Sequence, residues 1–340
     1  MLSLFDTIVG LNLRVVWVSI PRAIRGECMG GDRKRYRLVT RSDFDGLVCA
    51  VLLKELDLID EIKFVHPKDM QDGSIPISDR DITTNLPYVA GVHLAFDHHL
   101  SETIRVDEKP DNYIITPEAE SAARVVYDYY GGPEVFGDVP GELMVAVDKG
   151  DSAAFTKEEV LNPQGWNLLN FIMDSRTGLG RFKNFRISNY QLMMDLIDYC
   201  REYSIDEILE LQDVKERASL YQEHEQLFKE QTLKCSTQRG NVLVVDIRNE
   251  EPVYAGNRFI KYALFPQINV SIQVIWGFKK QNTVLSVGKS IFNRSCEVNV
   301  GDLMLKYGGG GHESAGTCQV DNEIADSVTD ELVEALSDNK

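Results

Sequence analysis

The sequence predicts an α/β protein of two lobes: an N-terminal, mostly parallel sheet with helices on both faces, and a smaller C-terminal α/β unit, joined by a helical linker. Three observations predict it. Short apolar runs alternate with segments of helical period between residues 36 and 147, the pattern of strand–helix–strand units. A Glu-, Leu- and Gln-rich stretch from Ser204 to Lys234 separates that region from a second set of apolar runs. The chain has 340 residues, too many for one ordinary core and enough for two domains of about 150 residues each.

The elements follow in order. Tyr36 to Thr40 reads as a strand, and Leu47 to Leu56 as an apolar-faced helix. Glu61–His66, Asp81–Thr84 and Val92–Phe96 read as further strands, and Glu118–Tyr130 and Gly141–Val147 as helices. Residues 164–235 read as helical throughout, because the period persists and no proline interrupts it. Asn241–Val245, Val270–Trp276 and Thr283–Val287 read as strands of the second unit, which ends in a Gly-rich turn at 308–311. The expected boundaries are an N-terminal extension at 1–35 (with Met29 a second candidate start), a first lobe at 36–200, a linker at 201–239 and a second lobe at 240–340.

Composition narrows the function classes. Hydrophobic content of 43% and charged content of 26% are those of a soluble globular chain. No apolar run reaches the roughly 18 residues of a membrane helix, and the N-terminus lacks the basic start and cleavage site of a signal peptide. Six cysteines lie far apart, with no CxxC pair, which points to the reducing cytoplasm. A net charge of −17 repels long polyanions and excludes a duplex-DNA binder.

Four constellations carry chemistry. In Ser42-Asp43-Phe44-Asp45-Gly46, two carboxylates sit where a strand ends and a helix begins; they suit a hard divalent cation, and a helix N-cap is the alternative. Asp97-His98-His99 follows another apolar strand, and its two imidazoles face different sides, so that one can ligate a metal while the other meets substrate. Asp148 and Asp151 end an apolar helix, and either could complete a metal shell. Gly308 to Gly311, followed by His312, offers backbone N–H groups for close approach to a phosphate. Gly288-Lys289-Ser290 imitates the end of a P-loop, but Thr283 stands where that motif needs its first glycine.

These motifs, in this order over about residues 36–325, resemble the DHH phosphoesterase superfamily, whose members include RecJ nucleases, family II pyrophosphatases, short-oligonucleotide nucleases and exopolyphosphatase-like proteins. Asp97-His98-His99 is similar to the naming motif, and Gly308–His312 to the signature of the accessory DHH-associated domain. The resemblance implies that Asp43, Asp45, His98 and Asp148 or Asp151 ligate one or two Mn²⁺ (or Mg²⁺) ions. It implies that Asp97, His98 and His99 are catalytic, and that His99, Arg258, Lys289, Gly309, Gly310, Gly311 and His312 hold substrate. Two positions depart from the pattern. Arg41 lies where a histidine usually precedes the first acids, and Asn85 takes the place of an aspartate that bridges the metals. His66, Asp69 and Asp72 are the substitutes within reach in the sequence.

The resemblance implies a metal-dependent phosphoesterase acting on dinucleotides or short single-stranded oligonucleotides. Action on phosphoanhydrides, as an exopolyphosphatase or pyrophosphatase, and a non-catalytic nucleotide sensor are the alternatives. The expected partners are small phosphorylated molecules, with no membrane, no duplex DNA and a homodimer allowed.

Overall fold

Five apolar segments pair as one sheet in the computed structural model, which describes residues 34–105 and 109–337; the expected extension lies, up to residue 33, outside them. The strands are β1 (Tyr36–Arg41), β2 (Ile59–Val65), β3 (Asp81–Thr84), β4 (Leu94–Asp97) and β5 (Tyr113–Ile115). Their order is β2-β1-β3-β4-β5, and every pair is parallel. Leu38 and Val39, adjacent on β1 and so on opposite faces, are both fully buried, as helices on both faces require. The chain leaves β1 for β2 on one side and then returns to place β3 on the other. The carboxyl ends of β1 and β3 therefore diverge into a crevice, the place where open α/β sheets bind ligands.

The helix Phe44–Glu55 starts at that crevice. Its N-cap Asp43 accepts a hydrogen bond from the Gly46 N–H. A Cβ on Gly46 would lie 2.0 Å from the Arg41 carbonyl oxygen, so only glycine lets the loop turn this tightly. Leu47 to Leu53 are buried on every side of the helix, which packs against the sheet and against the helices Ala122–Tyr130, Gly141–Asp151 and Asn189–Glu202. Each such leucine contributes roughly 1.5–3 kcal/mol by leaving water. The site at the helix N-terminus is thus anchored in the first lobe's core.

The second sheet contains β6 (Ser236–Arg239), β7 (Val242–Asp246), β8 (Val270–Trp276), β9 (Thr283–Lys289), β10 (Gly310–His312) and β11 (Ala315–Val320). Its order is β10-β11-β9-β8-β7-β6; only β7 and β8 are parallel. A separate apolar core lies between this sheet and the helices Val300–Leu305 and Ala325–Leu336.

The seven strands read from the sequence form within two residues of their expected bounds, but β5, β6, β10 and β11 are not among them, and β10 takes part of the expected Gly-rich turn. Two further expectations need correction. The stretch 164–235 is not helical throughout. The helix Gly165–Met173 ends at Asp174, whose side chain accepts from the Arg176 N–H, and Gly178 turns left-handed at φ 83°. Capping and glycine break the run where no proline does. The 201–239 span also holds more than a linker: its long helix Gln212–Lys234 stops before β6, an edge strand of the second sheet. Among the described residues, no helix is long and apolar enough to cross a membrane.

Candidate metal centre and substrate cleft

Asp45 lies in the first turn of the helix Phe44–Glu55 and is 2% exposed. Its two oxygens accept from the Ala122 N–H at 3.0 Å and the Ala123 N–H at 2.8 Å, the free donors that open the helix Ala122–Tyr130. His98 follows β4, and its Nδ1 lies 3.0 Å from the Ala119 carbonyl oxygen. A hydrogen bond donated there fixes the ring and the tautomer, and directs Nε2 inward. Nε2 is 2.9 Å from Asp151 Oδ2, without the alignment of a hydrogen bond. One ligand atom from each of Asp45, His98 and Asp151 falls within 4.8 Å of the others.

The charges of this cluster are strained by burial. Burial, and then the negative charges of Asp151 and Asp43, push the Asp45 carboxyl up to about 8. Burial opposes charge on His98, but the adjacent Asp151 carboxylate outweighs it and raises the imidazole to about 9. Burial likewise disfavours a charged Asp151, and His98 holds its carboxyl below the ordinary value. Two carboxylates and an imidazole converging in a buried place fit a divalent cation such as Mn²⁺ or Mg²⁺. The orienting bond to the outer nitrogen of His98 is the usual support for such a ligand.

The other expected ligands are engaged elsewhere. Asp43 Oδ2 pairs with Arg41 Nε at 2.8 Å, and Oδ1 accepts from the Gly46 N–H and from Asn85 Nδ2. Asn85, 1% exposed, thus turns its amide hydrogens to Asp43, and its Oδ1 is buried with no partner. Asp148 accepts from Ser121 and pairs with Arg124; Asp151 is the one that faces His98. The substitutes His66, Asp69 and Asp72 belong to a local structure: His66 and Asp69 form the capping box of the helix Pro67–Gln71, and Asp72 pairs with Lys68.

Asp97 and His99 form a second unit. Asp97, 1% exposed, accepts from the His98 N–H at 2.8 Å and lies 2.7 Å from His99 Nδ1. It orients His99 and is not itself open to a ligand. Burial works against charge on His99, but the Asp97 carboxylate raises the imidazole above its ordinary value. From the second lobe, the His312 ring stacks on His99 with centroids 5.5 Å apart. Burial, and then the positive charges of His99 and Arg41, lower the His312 imidazole.

A cavity beside the cluster is lined by Asp43, Asp45, Asp151, Asp174, Arg176 and Arg258, among others. Arg258 Nε donates to Asp174 at 3.1 Å, and Arg176 Nε to the same carboxylate at 2.7 Å. Burial and the neighbouring Arg176 bring the Arg258 guanidinium down to about 10. Arg176 escapes sequence reasoning because it lies in the run read as one helix; the Asp174-Ser175-Arg176-Thr177-Gly178 string was the signal of a break. Lys289 lies 3.4 Å from Glu313, within its own lobe. Cβ atoms on Gly309 and Gly311 would lie 2.2 Å from the Thr317 and Ala315 carbonyl oxygens. These two glycines are therefore required by the packing of β10 on β11.

The solved structure of a pGpG-specific phosphodiesterase, PggH from Vibrio cholerae, is similar to this chain at 61% identity. The match covers 89% of this chain and 99% of that one, with a TM-score of 0.77. RecJ from Thermus thermophilus, solved in complex with Mn²⁺, is similar in fold alone: identity is 14%, the TM-score is 0.50, and the match covers 89% of this chain and 52% of that one. No family model and no curated protein matches. Given a relative this similar over its whole length, and the gathering of Asp45, His98 and Asp151 beside the Asp97–His99 pair, the chain belongs to the DHH phosphoesterase superfamily and is a hydrolase of phosphoester bonds.

Proposed function

We propose that this chain hydrolyses the phosphodiester bond of a 5′-phosphorylated dinucleotide, with pGpG as its leading substrate. The identity of 61% to a pGpG-specific phosphodiesterase, over 99% of that protein, carries the reading. Asp45, His98 and Asp151 would hold a divalent cation, Mn²⁺ or Mg²⁺. When bound, such a cation supplies the charge that activates water and polarises a phosphoryl oxygen.

The chain's own residues do the rest. Asp97 holds His99 by its Nδ1 and leaves Nε2 to give a proton to the leaving oxygen or a hydrogen bond to the phosphoryl group. Arg176 and Arg258, gathered by the one carboxylate of Asp174, would offer their remaining guanidinium N–H groups to a second phosphate. His312 closes the cleft from the second lobe. A net charge of −17 favours a short substrate over a long one, because a long polyanion would meet the acidic surface beyond these few cations. A cytoplasmic reaction is part of this reading, supported by the free thiols of Cys49, Cys200, Cys235, Cys296 and Cys318, the state a reducing compartment keeps.

The test is product release from pGpG, pApA and a short RNA with Mn²⁺ present, followed by chromatography. GMP from pGpG, at a rate well above that on the other two, is expected. No turnover on any of them by metal-loaded protein would overturn the reading.

A further inference from the structure

We propose that the centre is mononuclear, with one divalent cation on Asp45, His98 and Asp151, and that the Arg41 guanidinium is its second, built-in positive charge. The inference builds on the metal reading above but does not depend on which substrate is used.

The argument begins with the acids at the crevice. Asp43, Asp45 and Asp151 all line one cavity. Asp45 gives each oxygen to one backbone N–H, so two of the roughly four lone-pair positions of a carboxylate remain. Asp151 faces His98, which a cation would join. Asp43 differs: one oxygen pairs with Arg41 at 2.8 Å, and the other accepts from Gly46 and Asn85 at 3.0 and 3.2 Å, so one lone-pair position remains, on the oxygen beside the guanidinium. Ligation by Asp43 through that position would set a cation against the Arg41 guanidinium, and through the other oxygen would break the bonds that cap its helix.

The surrounding groups offer no replacement. Asp97 is used by His98, His99 and Tyr113, and Asp148 by Ser121 and Arg124. Among the described residues, Asp45, His98 and Asp151 are the one group with the spacing of a metal site. Asn85 reinforces the assignment. Its amide nitrogen donates to Asp43, and the oxygen left to it is that of a neutral amide, a weaker cation ligand than a carboxylate.

Charge balances on this arrangement. Arg41 neutralises Asp43, and two carboxylates remain for one divalent ion. Arg41 Nε is committed to Asp43. Arg41 also acts electrostatically on Asp151 and on His312, so its remaining guanidinium N–H groups, on a side chain 31% exposed, would serve a phosphoryl oxygen brought to the metal, in the role that oriented cations play in phosphoryl transfer.

The experiment counts metal without substrate. Metal-free protein is titrated with Mn²⁺ by calorimetry, and the saturated sample is read by electron paramagnetic resonance. One equivalent with the hyperfine pattern of isolated Mn²⁺ is expected. Two equivalents, or the spectrum of an exchange-coupled pair, would overturn the proposal. The double variant Arg41→His, Asn85→Asp is expected to take up a second equivalent; if it stays at one, Arg41 is not what holds the place. Failure of the substrate reading would look different: one bound ion and no release of GMP from pGpG.

Discussion

The two lobes meet at His99 and His312 but are built on opposite plans. The first lobe presents its groups from the ends of parallel strands and from helix termini: Arg41 ends β1, Asp97 ends β4, and Asp151 ends the helix Gly141–Asp151. Asp45, His98 and Asp151 are electrically coupled there, so each one's charge depends on its neighbours. The second lobe offers Arg258 from a loop, where it pairs with Asp174 of the first lobe, and His312 from the end of an edge strand. Burial and coupling suit a centre that holds an ion. Cationic and imidazole donors brought from a separate lobe suit a surface that holds whatever the ion acts on.

Substitutions in the two lobes should therefore fail in different ways. His98→Ala removes one of the three proposed ion ligands and should lower both Mn²⁺ affinity and kcat. The loss should exceed the roughly 100-fold that removal of a ligand's outer partner costs. Calorimetry and steady-state rates would show it, and unchanged Mn²⁺ affinity would break the contrast. Arg258→Ala should leave Mn²⁺ affinity alone and act through substrate. Loss of a hydrogen bond to a charged group costs about 1.5–3 kcal/mol, or about 10- to 150-fold in kcat/KM, with most of the change expected in KM. A change confined to kcat would place Arg258 with the chemistry instead.

The third test is the response of metal binding to pH. Free of metal, His98 is raised to about 9 and Asp45 to about 8, so both carry protons at neutral pH. A cation needs both without them. Mn²⁺ affinity should therefore rise with pH through neutrality and level off above about 9. Each proton released contributes up to about tenfold per pH unit. Calorimetry in buffers of different ionisation enthalpy would count the protons, and affinity flat from pH 6 to 9 would contradict the electrostatic picture.

Much of this was legible in the sequence, for identifiable reasons. Strands betray themselves by short apolar runs, and the carboxyl ends of those runs located Asp45 and His98. What stayed hidden depends on residues far apart in the chain. Asp148 and Asp151 are three positions apart on one helix, so spacing cannot separate them; Arg124, from another helix, does so by claiming Asp148. Asp43 and Asp45 look equivalent until Arg41 and Asn85 are seen to close one of them. Arg176 was lost because capping by Asp174 ends a helix without proline.

The glycines before His312 bear on how distant relatives should be read. Gly309 and Gly311 have no room for a side chain because of their own hairpin's backbone, and Gly301 has none because of Gly311. A descendant that lost its activity would still need them to fold. The glycine signature therefore records ancestry, and a survey that sorts working enzymes from silent copies should score Asp45, His98 and Asp151 instead.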